Sequence, residues 1–129
     1  MIYLDSSAII KLVVAEPESN ALRAYLAEHE DHVSSGLARV EVFRALRRTN
    51  DRPAVLRYAD QVIERIVLVA VDGPVIASAA SLDPPLLRSL DAIHLATALS
   101  LEELDALVTY DRRLGAAAKE AGLVVASPD

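Results

Sequence analysis

Five short runs, most of them rich in Val, Ile or Leu, alternate with helical patterns and limit the folds that this chain can adopt. The runs fall at 2–5, about 31–34, 66–71, 106–110 and 123–126. Short, nearly all-apolar strands that alternate with helices are typical of a parallel sheet with both faces covered. We therefore expect an α/β fold, a three-layer α/β/α sandwich with a short, mostly parallel central sheet.

The helical patterns between these runs start and stop at residues that break helices. They cover about 7–14, 18–30, 36–49, 53–65, 73–82, 89–101 and 112–121. The residues at their ends are Pro17, Gly36, Pro53, Gly73, Pro74, Pro84, Pro85 and Gly122. Since no linker or low-complexity tract interrupts the 129 residues, we expect one domain over residues 1–129.

The composition excludes several classes of protein. With 53% hydrophobic and 25% charged residues, the chain is typical of a globular protein rather than a disordered one. No apolar stretch reaches the roughly 18 residues that span a bilayer, and no signal-peptide pattern is visible, so we expect a cytoplasmic protein. The absence of cysteine excludes disulfides, Cys-bound zinc and thiol catalysis.

Four acidic residues stand where apolar segments should not tolerate a charge. Asp5 and Asp111 follow the apolar runs that begin at 1 and 106, and Glu41 and Asp91 interrupt largely apolar helical patterns. Burying an unpaired carboxylate costs several kcal/mol, so four of them indicate a bound cation. Because parallel strands end at one edge of the sheet, we predict a carboxylate pocket for Mg²⁺ or Mn²⁺ there.

A structural explanation competes for three of these acids. Asp5 and Asp111 both precede helical patterns and could be N-caps, while Asp91 lies in a first helical turn, where acids favour the helix dipole. Glu41 is different, because the residues three and four positions before it and four after it are apolar. Helix propensity does not explain a charge there, and a functional role is the better interpretation.

Several neighbouring polar residues are weaker candidates. Ser6 and Thr109 flank two of the aspartates and could orient them, or could be ordinary capping or strand-end hydroxyls. His94 follows Asp91 by three positions, and we interpret it as a core or hydrogen-bonded histidine rather than a metal ligand. With four glycines in the chain, no phosphate-cradling glycine-rich loop is present.

The net charge of −6 hides a basic segment. Residues 39–65 contain seven arginines against four acids, a local net charge of +3. This segment is either a solvated helix face or a surface that contacts phosphates.

Four segments, in this order, resemble PIN-domain ribonucleases, and among them the VapC-type toxins of type II toxin–antitoxin modules. They are IYLDSSA at 2–8, VEVFRA at 40–45, LDAIHLATA at 90–98 and TYDRRL at 109–114. The resemblance implies a PIN-like nuclease domain and a Mg²⁺- or Mn²⁺-dependent endoribonuclease. It assigns catalysis and metal binding to Asp5, Glu41, Asp91 and Asp111, with Ser6 and Thr109 in support.

The resemblance also implies partners. It predicts a homodimer that cleaves cellular RNA and is neutralised by a cognate antitoxin protein. The expected reaction is in-line attack on phosphorus by a water deprotonated at the metal. Arg44, Arg47 and Arg112 are candidates to hold the RNA backbone.

Two other functions compete with this one. A catalytically silent PIN-like module that binds RNA or protein has little reason to keep four acids. A second rival is aspartyl-phosphate chemistry, with Asp5 or Asp111 as the nucleophile. Aspartyl phosphatases use a second acid two residues after the nucleophile, and two residues after Asp5 the chain has Ser7. A receiver domain would also need a strand-end lysine, whereas Lys11 and Lys119 both lie in helical patterns.

Overall fold

Five parallel strands form one sheet in the order β3-β2-β1-β4-β5 in the computed structural model, which describes residues 1–129. The strands are β1 Ile2–Leu4, β2 His32–Ser35, β3 Val67–Val69, β4 Ala106–Val108 and β5 Val125–Ala126. Each overlaps one of the predicted apolar runs. The prediction of a parallel central sheet is confirmed.

Seven helices connect and cover the strands. They are α1 Ser6–Val13, α2 Ser19–Ala27, α3 Leu37–Thr49, α4 Pro53–Glu64, α5 Gly73–Ala80, α6 Ser89–Leu99 and α7 Arg112–Glu120. All seven were predicted, and the main differences are earlier ends for α2, α5 and α6, because apolar periodicity does not locate a last helical turn. None of the helices combines the length and apolarity that crossing a bilayer requires.

The two faces of the sheet bury separate apolar clusters. Ile2 and Leu4 of β1 point into the larger cluster, with side chains of α1 to α4, whereas Tyr3 points into the smaller one, with side chains of α6 and α7. Successive side chains of a strand face opposite sides, so a short apolar strand serves both layers. The predicted α/β/α sandwich is therefore confirmed.

The strand order creates a crevice between β1 and β4. From β1 the chain moves to one side of the sheet through β2 and β3, and then to the other side at β4. Leu4 pairs with Val108 at the carboxyl ends of these neighbouring strands. Open α/β sheets bind their ligands at such a switch point.

Candidate active site

Asp5 lies at the mouth of this crevice, directly after β1, and caps α1. Its Oδ1 accepts hydrogen bonds from the Ala8 amide at 3.0 Å and from Ser7 Oγ at 2.6 Å. Its Oδ2 accepts a hydrogen bond from Thr109 Oγ1 at 2.5 Å. The residue is 3% exposed, and burial, which outweighs these donors, raises the pKa of its carboxyl. Asp5 is thus both an N-cap and a buried carboxylate with no cationic partner.

Thr109 links Asp5 to Asp111. Its hydroxyl donates to Asp5 and accepts a hydrogen bond from the Asp111 amide at 3.0 Å. The Asp111 carboxylate caps α7 by accepting from the amides of Arg113 and Leu114. The capping explanation and the expected placement at the sheet edge therefore both apply to Asp111.

The supporting hydroxyl predicted at Ser6 is supplied by Ser7 instead. Ser7 Oγ donates to Asp5 and accepts from the Tyr110 amide at 2.9 Å, so it ties α1 to the segment after β4. Ser7 is the second residue of α1, and its side chain turns back toward the capping residue. Ser6 makes no side-chain hydrogen bond.

Arg88 joins the carboxylates of Asp91 and Asp111. Its Nε lies 3.1 Å from Asp91 Oδ2, and its Nη2 lies 2.8 Å from Asp111 Oδ2. The hydrogen bond to Asp91, and then the charges of Asp91 and Asp111, raise the pKa of the guanidinium. Sequence reasoning missed Arg88, although its position three residues before Asp91 was a usable signal.

Glu41 reaches the same region from α3 and accepts a hydrogen bond from a buried histidine. His94 Nε2 lies 2.5 Å from Glu41 Oε1, and His94 Nδ1 lies 2.7 Å from the Tyr3 hydroxyl. Tyr3 and His94 are 0% and 1% exposed. The interpretation of His94 as a hydrogen-bonded core residue matches this geometry, whereas Tyr3 was not singled out from the sequence.

The four acids thus lie at one edge of the sheet, connected by shared partners. Asp5 and Asp111 share Thr109, Asp91 and Asp111 share Arg88, and the charge of Glu41 also acts on Arg88. In this arrangement no three acidic or histidine side chains converge closely enough to hold an ion. Arg88 occupies the space between two of the carboxylates.

The donor set nevertheless fits a hard divalent cation. All four candidate ligands are carboxylates, which Mg²⁺ and Mn²⁺ prefer. Asp5 bonds only neutral donors, and the single Arg88 charge is shared between Asp91 and Asp111. The site therefore carries more negative charge than its own residues neutralise.

The arginines predicted to contact RNA are exposed. Arg44, Arg47 and Arg112 form no ion pairs, whereas Arg39 is paired with Asp60 at 2.7 Å. Arg44 lies three residues after Glu41, on the same side of α3. Arg47, six residues after Glu41, faces a different direction, whereas Arg112 directly follows Asp111.

Known proteins share this arrangement of elements. The family model described as PIN domain matches residues 2–120. Ribonuclease VapC46 of Mycobacterium tuberculosis is 48% identical over 128 residues, 98% of this chain and 97% of that protein.

Two solved structures are similar in fold. The crystal structure of VapC20 of Mycobacterium tuberculosis, a Sarcin-Ricin loop cleaving toxin, aligns with TM-score 0.77 and 16% identity over 99% of this chain and 100% of that one. A toxin-antitoxin complex from Klebsiella pneumoniae aligns with TM-score 0.73 and 19% identity over 100% and 98% of the two chains.

Proposed function

Because this chain belongs to the PIN-domain family and is a ribonuclease of its VapC group, we propose that it cleaves RNA with a divalent metal ion, Mg²⁺ or Mn²⁺. The ligands would be Asp5, Glu41, Asp91 and Asp111, within one nuclease domain over residues 1–129. The observation that carries this proposal is the placement of four carboxylates along one edge of the sheet, at the β1–β4 crevice, where the one cation paired with them is Arg88, through Asp91 and Asp111.

The chain's own residues supply a rigid frame for this chemistry. When bound, the metal would activate a water and stabilise negative charge at the scissile phosphate. Three donors, from Ser7, Ala8 and Thr109, fix Asp5 before any substrate arrives. Preorganisation of this kind lowers the cost of reaching the reactive geometry.

Positive side chains around the crevice suit a polyanionic substrate. Arg44 and Arg112 are exposed and unpaired, and each lies close in sequence to one of the acids. Arg88 is available to a phosphate whenever it leaves Asp91 and Asp111. Arginines bind phosphate in a bidentate manner, so these three, with Arg47 further along α3, would hold the RNA backbone.

The protein would act as a toxin that a cognate antitoxin neutralises in the cytoplasm. The VapC46 relative and the fold shared with a toxin-antitoxin complex support this partner. The homodimer follows from the family, and the exposed side chains of Ile76, Leu86 and Leu90, at 55%, 92% and 47%, would be available to such an interface.

The test is RNA cleavage by the purified protein, free of antitoxin. Total RNA should give discrete fragments in Mn²⁺ or Mg²⁺, none in EDTA, and none with Asp91→Asn. A folded wild-type protein that binds Mn²⁺ and leaves all RNA intact would favour the silent RNA- or protein-binding module instead.

A further inference from the structure

Glu41 is held differently from the two capping acids. Asp5 and Asp111 each accept hydrogen bonds from backbone amides, which fix their side chains at helix N-termini. The carboxylate of Glu41 lies mid-helix and accepts one hydrogen bond, from His94 Nε2 at 2.5 Å. A glutamate side chain has more rotatable bonds than an aspartate, so this contact decides where its carboxylate points.

The histidine is itself held in one orientation. His94 is 1% exposed, and its ring meets the Tyr3 ring edge to face at a centroid distance of 5.8 Å. Leu95 and Leu107 belong to the apolar cluster that also buries Tyr3. Because interiors are close-packed, the buried imidazole cannot turn to another rotamer without displacing Tyr3 and the side chains packed around it.

For a neutral imidazole, the two hydrogen bonds decide which ring nitrogen carries the proton. An ionised Glu41 carboxylate only accepts hydrogen bonds, so His94 Nε2 must carry the proton and donate it. His94 Nδ1 is then an acceptor, and the Tyr3 hydroxyl donates to it at 2.7 Å.

A purely structural role would not need these polar atoms. Polar groups within an apolar cluster cost free energy unless they are satisfied, and Phe with Leu would fill the same layer without that requirement. Here the chain of hydrogen bonds runs from the centre of β1, through α6, to a carboxylate at the crevice. It ends on a proposed metal ligand.

We propose that His94, held by Tyr3, is a positioning residue that fixes the carboxylate of Glu41 for metal binding, with the imidazole proton on Nε2. This inference rests on the proposed function, because it assumes that Glu41 is a ligand. Partners that orient metal ligands typically contribute about 10- to 100-fold in metal affinity.

The test is the Mn²⁺ dissociation constant, measured by titration calorimetry without RNA. His94→Leu should raise it about 10- to 100-fold. His94→Gln, which can place an N–H near the position of Nε2, should recover most of the affinity. The control is His32→Leu, since His32 Nε2 contacts only the backbone carbonyls of Leu26 and His29.

A second measurement uses the wild-type protein without metal, so it does not depend on the stability of a variant. Nitrogen-15 NMR of the metal-free wild-type protein should show His94 protonated on Nε2 and not on Nδ1. In Tyr3→Phe the Nδ1 atom loses its donor, so the tautomer populations should shift and the affinity for Mn²⁺ should fall.

Either of two results would overturn the positioning role alone. One is a folded His94→Leu that binds Mn²⁺ as tightly as the wild type while Glu41→Gln binds weakly, which would leave the proposed function standing. The other is the Nδ1-protonated tautomer in the wild-type protein. Unchanged Mn²⁺ binding in Glu41→Gln itself would instead remove Glu41 from the proposed ligand set, and the positioning role with it.

Discussion

Nη2 of Arg88 lies 2.8 Å from Oδ2 of Asp111, a residue 23 positions further along the chain. The same guanidinium bonds Asp91 through Nε at 3.1 Å. Arg88 therefore places a positive charge between two of the proposed metal ligands. Like charges repel, so a divalent cation can use both carboxylates fully only when Arg88 withdraws.

Arg88→Gln should therefore bind Mn²⁺ more tightly than the wild type. The Arg88 side chain is 62% exposed, so solvent screening limits the expected gain to about 2- to 5-fold in the dissociation constant. Titration calorimetry without RNA measures the effect, and Arg113→Gln provides a control at an exposed arginine in the same region. Weaker binding by Arg88→Gln would show that the guanidinium supports the metal site.

Asp5→Asn should abolish cleavage without loss of stability. The Asp5 carboxylate is buried beside neutral donors only, so a neutral amide avoids the cost of burying a charge. Its carbonyl can still accept from the Ala8 amide, which preserves the cap of α1. The thermal midpoint and RNA cleavage should be measured on one preparation. An active variant would remove Asp5 from the mechanism.

In the metal-free protein, the raised pKa of Asp5 should appear in the way the free energy of unfolding depends on pH. The folded state binds a proton at this carboxyl more readily than the unfolded state does. The contribution of this carboxyl to stability is therefore fully present below its pKa in the unfolded state, about 3.9, and is lost as the pH rises through its pKa in the folded state.

Urea unfolding of the wild type and of Asp5→Asn across this range isolates the contribution. The stability of Asp5→Asn relative to the wild type should increase with pH in the absence of metal, and added Mn²⁺ should reduce the difference. A difference that stays constant with pH would contradict the burial of an uncompensated Asp5 charge.

Thr109→Val should damage both stability and cleavage. The substitution removes the donor to Asp5 and leaves the Asp111 amide without its acceptor, a loss of about 1–3 kcal/mol in the free energy of unfolding. Cleavage should fall about 10- to 100-fold because Asp5 loses one of the three donors that fix it. Thr109→Ser keeps the hydroxyl and should retain most of the stability and most of the cleavage activity. Equal losses in the Thr109→Val and Thr109→Ser variants would show that packing, and not the hydroxyl, is responsible.

The fold was predictable because its signals are local. Short apolar runs, helical periodicity and the breakers Pro53 and Gly73 all lie within a few residues of the boundaries that they set. The placement of the acids at one sheet edge was predictable for a related reason, since a charge within an apolar run is visible in the sequence, whereas their role as ligands stays a prediction. Glu41 was the clearest case, because helix propensity does not account for it.

The contacts around the acids could not be predicted in the same way. The link from Tyr3 to His94 spans 91 positions, and that from Thr109 to Asp5 spans 104. These pairs depend on strand order and on how α6 packs against β1. The choice of Ser7 over Ser6 depends on the direction in which a side chain leaves the first turn of α1. No pattern in the sequence fixes these relationships.

The most direct test of the central claim is anomalous diffraction from crystals grown with Mn²⁺. We expect an anomalous peak at the β1–β4 crevice, about 2 Å from oxygens of Asp5 and of at least one other acid of the set. We also expect that Arg88 no longer bridges Asp91 and Asp111. A structure with no peak at these carboxylates and with Arg88 still in place, at a Mn²⁺ concentration that supports RNA cleavage, would contradict it.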